Sequence, residues 1–361
     1  MRYIIFRVDS STQIGSGHLM RCLTLANQLK TKAEIRFISR DLVGNLNYLI
    51  TQNGFKCMEL LPANDRSNVL CGYEKWLTVK QEQDAKEVKE ILKNLDTELL
   101  VVDSYAIDET WEKAIRPFVK KIMVIDDLAN RKHECDILLD QNYYVDMNNR
   151  YKGLVSGKCK LLLGPTYALL REEFYIEKKK QRQRNGRIKN ILVFFGGSDL
   201  TNETMKTLKA LVLLNKEDIT VNVVVGGSNQ YKEEVKEFCQ RYYWMNYYCQ
   251  INNMAEMMNQ ADLAIGAGGT TMWERCFLGL PAIVITVAEN QIKIAQDCDE
   301  SGFIKYLGKS SLVTEHVIFE VILSLQGKKY KKLEYNCTRF RRDKNNEWIK
   351  LLFAGSGIGR C

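Results

Sequence analysis

The chain has 361 residues, 45% of them hydrophobic and 27% charged, which fits a folded protein of two domains and excludes a largely disordered one, because single cores stop growing at roughly 250 to 300 residues. No apolar run approaches the roughly 20 residues of a membrane-spanning helix, and the opening MRYIIFRVDS reads as a strand, not a cleavable leader, so a cytoplasmic protein without membrane contact is expected. The net charge of +8 is local: seven basic and no acidic residues lie between Lys178 and Lys189, and eight basic and two acidic between Lys328 and Lys344, which leaves −5 for the rest.

Both basic runs read as a solvated linker and tail. A nucleic-acid binder would spread its basic residues over a folded face and interleave aromatics, so no nucleic-acid partner is expected. Eleven cysteines are scattered from Cys22 to Cys361 without a C-x-x-C pair, and only His18, His133 and His316 could join them. Reduced, structural thiols and no metal are the expectation.

Along the chain, short β-branched runs alternate with helix-period segments, the signature of parallel α/β units. In the first half strands are expected at 3–8, 34–39, 56–60, 99–103, 121–125, 136–139 and 161–163. A first helix begins near His18, where Leu19, Cys22, Leu23, Ala26 and Leu29 recur on one face. A second, 80–95, is heavily charged and reads as lying on the surface. After the basic segment the pattern restarts, with strands at 190–195, 219–225, 263–265 and 282–286 and helices near 203–214, 232–241, 271–278 and 291–301. The reading is two doubly wound domains, 1–177 and 188–327, joined by the charged linker, with a basic C-terminal segment, 328–361, that could form a helix packing back. Ligands of such sheets sit outside the carboxyl ends of the strands.

Two strand–glycine–helix junctions can carry chemistry. In RVDSSTQIGSGHLMR, Gly15 and Gly17 permit close backbone approach before a helix that opens on His18. Met20 stands where a nicotinamide-cofactor fingerprint wants glycine, which argues against a dehydrogenase and leaves no cofactor predicted. An imidazole at a helix amino terminus is a natural general base, since the positive end of the dipole disfavours its charged form. In IGAGGTTMWERCFLGLP, Thr270 or Thr271 can cap the next helix, Gly268 and Gly269 open its amides to a phosphate, and Glu274 can reach ribose hydroxyls. Gly196-Gly-Ser-Asp199 is a second such opening, and two converging loops suggest a diphosphate.

The blocks RVDSSTQIGSGHLMRCLTLA, VIDDLANRKHECDILLDQN, LLLGPTYALLREEF, FFGGSD and AIGAGGTTMWERCFLGLP, with ENQ beyond, run in order from about residue 3 to about residue 308. Together they resemble the UDP-2,4-diacetamido-2,4,6-trideoxy-β-L-altropyranose hydrolases of pseudaminic acid biosynthesis. The resemblance implies a GT-B fold, two Rossmann-like doubly wound domains facing each other across a cleft, and metal-free, inverting cleavage of the sugar C1–oxygen bond with release of UDP. It implies that His18, after Gly17, activates water, that Tyr105 and Asn290, followed by Gln291, face the sugar, that Glu274 holds the ribose, that Gly268, Gly269 and Thr270 lie at the diphosphate, and that Arg171 crosses near the cleft. Leu200 departs from the proline many members carry after GGSD. The expected partner is thus a small-molecule UDP-sugar. Nothing in the sequence sets the oligomeric state, with a monomer as the simplest assumption. The rival readings are a GT-B glycosyltransferase using the same nucleotide site and a non-catalytic binder of sugar nucleotides or nucleic acid.

Overall fold

A computed structural model describes residues 2–62, 71–215, 218–339 and 348–353. The described residues fall into two compact units, one of 2–142, 146–169 and 348–353, the other of 143–145 and 170–339. The first unit contains strands β1 (Arg2–Val8), β2 (Glu34–Arg40), β3 (Lys56–Leu60), β4 (Asp96–Asp103), β5 (Ile122–Ile125), β6 (Ile137–Asp140) and β7 (Lys160–Leu163). Its helices are α1 (Gly17–Leu29), α2 (Tyr48–Gln52), α3 (Gln81–Leu92) and α4 (Glu109–Ile115). The second unit holds α5 (Glu172–Lys178), β8 (Asn190–Phe194), α6 (Glu203–Leu213), β9 (Thr220–Val225), α7 (Lys232–Cys239), β10 (Met245–Cys249), α8 (Met254–Gln260) and β11 (Leu263–Ala267). It continues through α9 (Thr271–Phe277), β12 (Ala282–Thr286), α10 (Ile292–Glu300), β13 (Lys305–Lys309), α11 (Glu315–Ser324) and α12 (Gly327–Thr338), and the last helix, α13 (Trp348–Leu352), returns to the first unit.

The two sheets share one plan. Their orders are β3-β2-β1-β4-β5-β6-β7 and β10-β9-β8-β11-β12-β13, and neighbouring strands pair in parallel. In each, the chain starts in the middle, winds one way and then crosses back, so the switch point lies between the first and fourth strands, β1/β4 and β8/β11. A parallel sheet covered on both faces needs apolar residues on both sides of each strand. β1 supplies them: Ile4, Phe6 and Val8 pack with Leu19, Leu23 and Trp348, and Ile5 packs on the other face with Leu100, Val88 and Trp111. The doubly wound reading of both halves therefore holds, and α13 buries Trp348 and Leu352 in the first core.

Three features differ from the sequence reading, each for a physical reason. Helix α3 is not merely a surface helix, because its Asp84 is fully buried and accepts from Arg7 Nη2 at 2.6 Å, Arg40 Nη2 at 2.7 Å and Trp111 Nε1 at 2.9 Å. Burial opposes ionisation of Asp84, but Arg7 and Arg40 overcome it and hold the carboxyl below its ordinary range.

The basic run 178–189 is solvated only in part: Lys179, Lys180, Arg187 and Lys189 are exposed, whereas Lys178, Arg182 and Arg184 clamp helix ends. The last carbonyls of a helix lack intrahelical donors and carry the negative end of its dipole. Lys178 Nζ donates to Phe277 O at 2.6 Å, Gln181 Nε2 to Leu278 O at 2.6 Å and Arg182 Nε to Asn259 O at 2.9 Å. Arg184, only 4% exposed, donates to the carbonyls of Met258, Ala261 and Gly279. These three cations serve α8 and α9. The tail run differs in that its first part belongs to a packed helix, α12 (Gly327–Thr338), which buries Tyr330, Leu333 and Cys337 and leaves the basic Lys328, Lys329, Lys331 and Lys332 exposed on its other side; beyond 339 the run lies outside the described residues.

Candidate functional site

At the switch point of the first sheet, β1 leads into a loop turned by Gly15, whose φ of +78° lies in the left-handed region. Its amide donates to Ser11 O at 2.9 Å, and α1 then begins at Gly17, which has no atom within 4 Å of where a Cβ would stand. His18 follows, 8% exposed. Its Nδ1 lies 2.6 Å from Asp103 Oδ1, at the end of β4, the strand paired with β1. With the carboxylate as acceptor the Nδ1 proton is assigned to this bond, Arg21 Nη2 standing 3.2 Å from the same nitrogen, and Nε2 is the ring nitrogen left for other partners. Among the described residues Nε2 has no hydrogen-bond partner.

One turn further on, Arg21 locks this pair. Its Nε and Nη2 each reach an Asp103 oxygen at 2.6 Å, and its Nη1 reaches Asp127 Oδ2 at 2.7 Å. Burial opposes ionisation of Asp103, but Arg21 and His18 outweigh it and hold the carboxyl far below the usual range. Asp127 also accepts from Tyr105 Oη at 2.6 Å and Asn142 Nδ2 at 2.7 Å. Asp140 lies beyond, bonded by the Asn142 amide at 3.0 Å and Tyr151 Oη at 3.1 Å. Burial and neighbouring Asp127 push its carboxyl up to about 7, against the pull of the Asn142 amide and Arg150.

Tyr105 is buried, its hydroxyl committed to Asp127 and its ring edge-on to His18 with centroids 4.6 Å apart. Trp76 stacks on Tyr105 at 5.3 Å and meets His18 edge-on at 5.8 Å, while Tyr73 contacts Trp76 at 4.9 Å. The structure thus brings together Gly17, His18 and Tyr105, and adds Arg21, Trp76 and Tyr73, to which sequence reasoning gave no role, and Asp103 and Asp127, which it saw only as strand-end acids able to form a carboxylate pair that a single histidine base makes unnecessary. Arg21 carried a usable signal, its spacing of one helical turn from His18. Asp103 was visible only as an acid at a strand end.

At the switch point of the second sheet, β11 runs into Gly268-Gly269-Thr270 and α9. A Cβ on Gly266 would stand 2.2 Å from Phe194 O, so only glycine permits this backbone approach, and a Cβ on Gly268 would touch Gln291 Cβ at 3.4 Å. Gln291 thus packs on the loop, its Oε1 accepting from Val287 N at 3.1 Å, and neighbouring Asn290 is exposed. Arg275, which was not anticipated, supports the loop from beneath by donating from Nη2 to Ala267 O at 2.6 Å. Burial lowers its pKa to about 10. Thr270 occupies the cap position of α9 without a side-chain cap bond.

Glu274, 8% exposed, receives Arg171 on a single oxygen: Nε and Nη2 lie 3.1 and 3.0 Å from Oε1. Oε2 is buried and has no hydrogen-bond partner. Burial pushes this carboxyl above its ordinary range, against the opposing pull of Arg171. An unpaired buried acceptor costs about 1 to 3 kcal/mol, which a hydroxyl-bearing ligand would relieve.

The loop 196–199 behaves otherwise. Asp199, at φ +42°, turns its own carboxylate onto the Glu203 and Thr204 amides, each at 2.9 Å. These amides at the start of α6 are therefore closed to a phosphate, contrary to the expectation of two converging anion loops. Gly196 turns the chain at φ +92°, and the backbone of Gly197 comes so close to Gly226 that a Cβ on Gly226 would stand 2.2 Å from Gly197 O. Of the other two histidines, His133 pairs with Glu112 Oε1 at 2.7 Å in the core, and His316 is exposed.

Residues 190–347 match the glycosyltransferase family 28 C-terminal domain. The chain is similar to an uncharacterized protein of Methanocaldococcus jannaschii, 31% identical over 84% of this chain and 58% of the relative. It therefore spans little more than half of that protein's length. It is also similar to the UDP-2,4-diacetamido-2,4,6-trideoxy-beta-L-altropyranose hydrolase of Campylobacter jejuni, 28% identical over 83% of this chain and 97% of the relative. Among solved structures, Acinetobacter baumannii MurG superposes with a TM-score of 0.66 at 13% identity, covering 98% of this chain and all of MurG. The fold is that of the GT-B glycosyltransferases. No helix among the described residues is long and apolar enough to cross a membrane.

Proposed function

We propose that the protein is a nucleotide-sugar enzyme that hydrolyses UDP-2,4-diacetamido-2,4,6-trideoxy-β-L-altropyranose, or a close relative of that sugar nucleotide, to UDP and the free sugar. The observation that carries this reading is the His18–Asp103 pair at the β1/β4 switch point, with Nδ1 bound and Nε2 open. A histidine oriented through one nitrogen by a carboxylate is built to take a proton at the other.

In the proposed step, Nε2 accepts a proton from water while the water oxygen forms a bond to sugar C1 on the face opposite the leaving group. The C1–O bond breaks and its electron pair leaves on the diphosphate of UDP, so the configuration inverts and no general acid is required. The imidazolium so formed is stabilised by Asp103, and Arg21, bridging to Asp127, keeps that carboxylate ionised and fixed. In the second unit, the uncapped loop Gly268-Gly269-Thr270 is assigned to the diphosphate and Glu274 to the ribose, whose hydroxyls would satisfy Oε2. Asn290 and Gln291 are assigned to the sugar side of that loop. The similarity to the C. jejuni hydrolase over nearly that protein's whole length supports the substrate.

The likeness of fold to MurG favours a second reading, a glycosyltransferase in which the same base deprotonates an acceptor hydroxyl. Incubating the purified protein with the UDP-sugar alone and following UDP and free sugar by NMR separates the two. Release of both without an acceptor is expected; turnover only on addition of an acceptor rejects hydrolysis.

A further inference from the structure

We propose that Trp76 and Tyr73 form a wall that selects the reacting sugar by the methyl and acetyl groups it carries in place of hydroxyls. The inference rests on the UDP-sugar reading above and names residues that reading does not use.

The geometry lies wholly within the first unit. Nδ1 of His18 is occupied by Asp103, so the reacting side of the ring is Nε2. A water there sits about 3 Å away, and an attacked carbon about 3 to 3.5 Å beyond it. Tyr105 and Trp76 stand against the same imidazole, 4.6 and 5.8 Å from its centroid, and in this reading the sugar lies against these rings. Tyr105 is 6% exposed and its hydroxyl is taken by Asp127. The outward surface of the cluster therefore belongs to half-buried Trp76 and to Tyr73, which is 38% exposed.

An aromatic face offers C–H and methyl groups good contact but cannot satisfy a hydroxyl. Each sugar hydroxyl desolvated against it loses its water partners, whereas a methyl or acetyl group gains buried area. The wall thus discriminates for deoxy and N-acetylated hexoses and against fully hydroxylated ones. The same electron-rich faces sit beside the carbon at which positive charge develops in an oxocarbenium-like transition state, so they favour the transition state as well as the ground state.

The test uses the full chain carrying His18→Ala, so that turnover is slowed by about 100-fold or more, and saturation-transfer NMR with UDP-2-acetamido-2,6-dideoxyglucose and UDP-glucose as probes. The expected result is saturation of the uridine protons with both probes and of the C6 and acetyl methyls with the first. Adding Trp76→Ala removes the methyl saturation and leaves the uridine signals. Tyr73→Ala, at an exposed ring, weakens the methyl signals in the same way and covers the case in which Trp76→Ala fails to fold. With His18 restored, Trp76→Ala lowers the kcat/KM preference for the acetamido-deoxy probe over UDP-glucose by about tenfold, the scale on which a pocket reads one apolar group. Uridine saturation without methyl saturation, or loss of both together in the variants, overturns the wall while leaving the UDP reading intact. Absence of uridine saturation from the outset overturns the UDP reading and the wall with it.

Discussion

The two switch points follow the same strand order and are finished in opposite ways. In the first unit the junction is saturated: His18, Arg21, Asp103, Asp127 and Tyr105 satisfy one another in a web of short, charge-assisted bonds, and one imidazole nitrogen is left over. In the second, the junction is mostly backbone, and the groups left over are a buried carboxylate oxygen on Glu274 and, beneath the loop, Nε of Arg275. A pinned lone pair suits chemistry, because its orientation is fixed before a substrate arrives. An unsatisfied acceptor suits binding, because a ligand can supply the missing donor. On the proposed reading, the contrast teaches that the unspent group, more than the glycine loop beside it, would distinguish a reacting site from a gripping one.

The sharpest way to break this division is at the leftover nitrogen. His18→Ala is expected to lower turnover of the UDP-sugar by about 100-fold or more, the scale of a lost general base, while UDP affinity stays close to that of the wild type. Steady-state kinetics beside calorimetric UDP titration checks both halves. Undiminished turnover removes the base, and a loss of UDP affinity as large as the loss of rate erases the division of labour.

Glu274→Ala is the mirror experiment. It should weaken UDP binding by roughly 1 to 3 kcal/mol, the cost of leaving ribose hydroxyls unpaired. Because the binding loss carries into kcat/KM, kcat itself should change less. A calorimetric affinity equal to that of the wild type takes Glu274 out of the nucleotide site.

How far the division could be read beforehand depends on where each residue's partner lies in the chain. The inner strands of both sheets were legible because burial on two faces demands continuous apolar runs such as ILLD and AIVIT. β10 and β13, MNYYC and KYLGK, were not, because they are the two edges of the second sheet and keep polar residues on their open sides. His18 was legible from its glycine loop and helix start. Its partner Asp103 is 85 residues away, and only the crossover that lays β4 beside β1 brings them together. Trp76 and Tyr73 stand in a short 3-10 turn with no periodicity to mark them. The clamps formed by Lys178, Arg182 and Arg184 were misread because a basic run looks the same whether water or helix-end carbonyls surround it.

The saturated web also makes a prediction about pH. Asp140, buried beside Asp127, has its carboxyl pushed up to about 7, above its value in the unfolded chain. An acid whose folded pKa is raised adds stability that is complete below the unfolded pKa, near 3.9, and is lost as pH climbs through the folded value. The native state should therefore lose on the order of 1 to 2 kcal/mol between about pH 5 and pH 8 from this group. Asp140→Asn keeps an acceptor for the Asn142 amide and should flatten that slope. Urea unfolding at the two pH values tests it, and an equal slope in the variant would show that Asp140 does not titrate in this range.

The smallest effect separates two loops that look alike in sequence. Gly196-Gly-Ser-Asp199 and Gly268-Gly269-Thr270 each follow a strand and open a helix, yet Asp199 spends its carboxylate on the amides of α6 while Thr270 leaves α9 without a side-chain cap. Asp199→Ala should cost about 1 kcal/mol of stability, the value of a lost cap, and leave UDP affinity unaltered. Thermal unfolding and calorimetry on the same sample decide it. A drop in UDP affinity without a drop in stability would mean that Asp199 holds the loop for a ligand and not for its own helix, and the second unit would then grip the nucleotide from two loops instead of one.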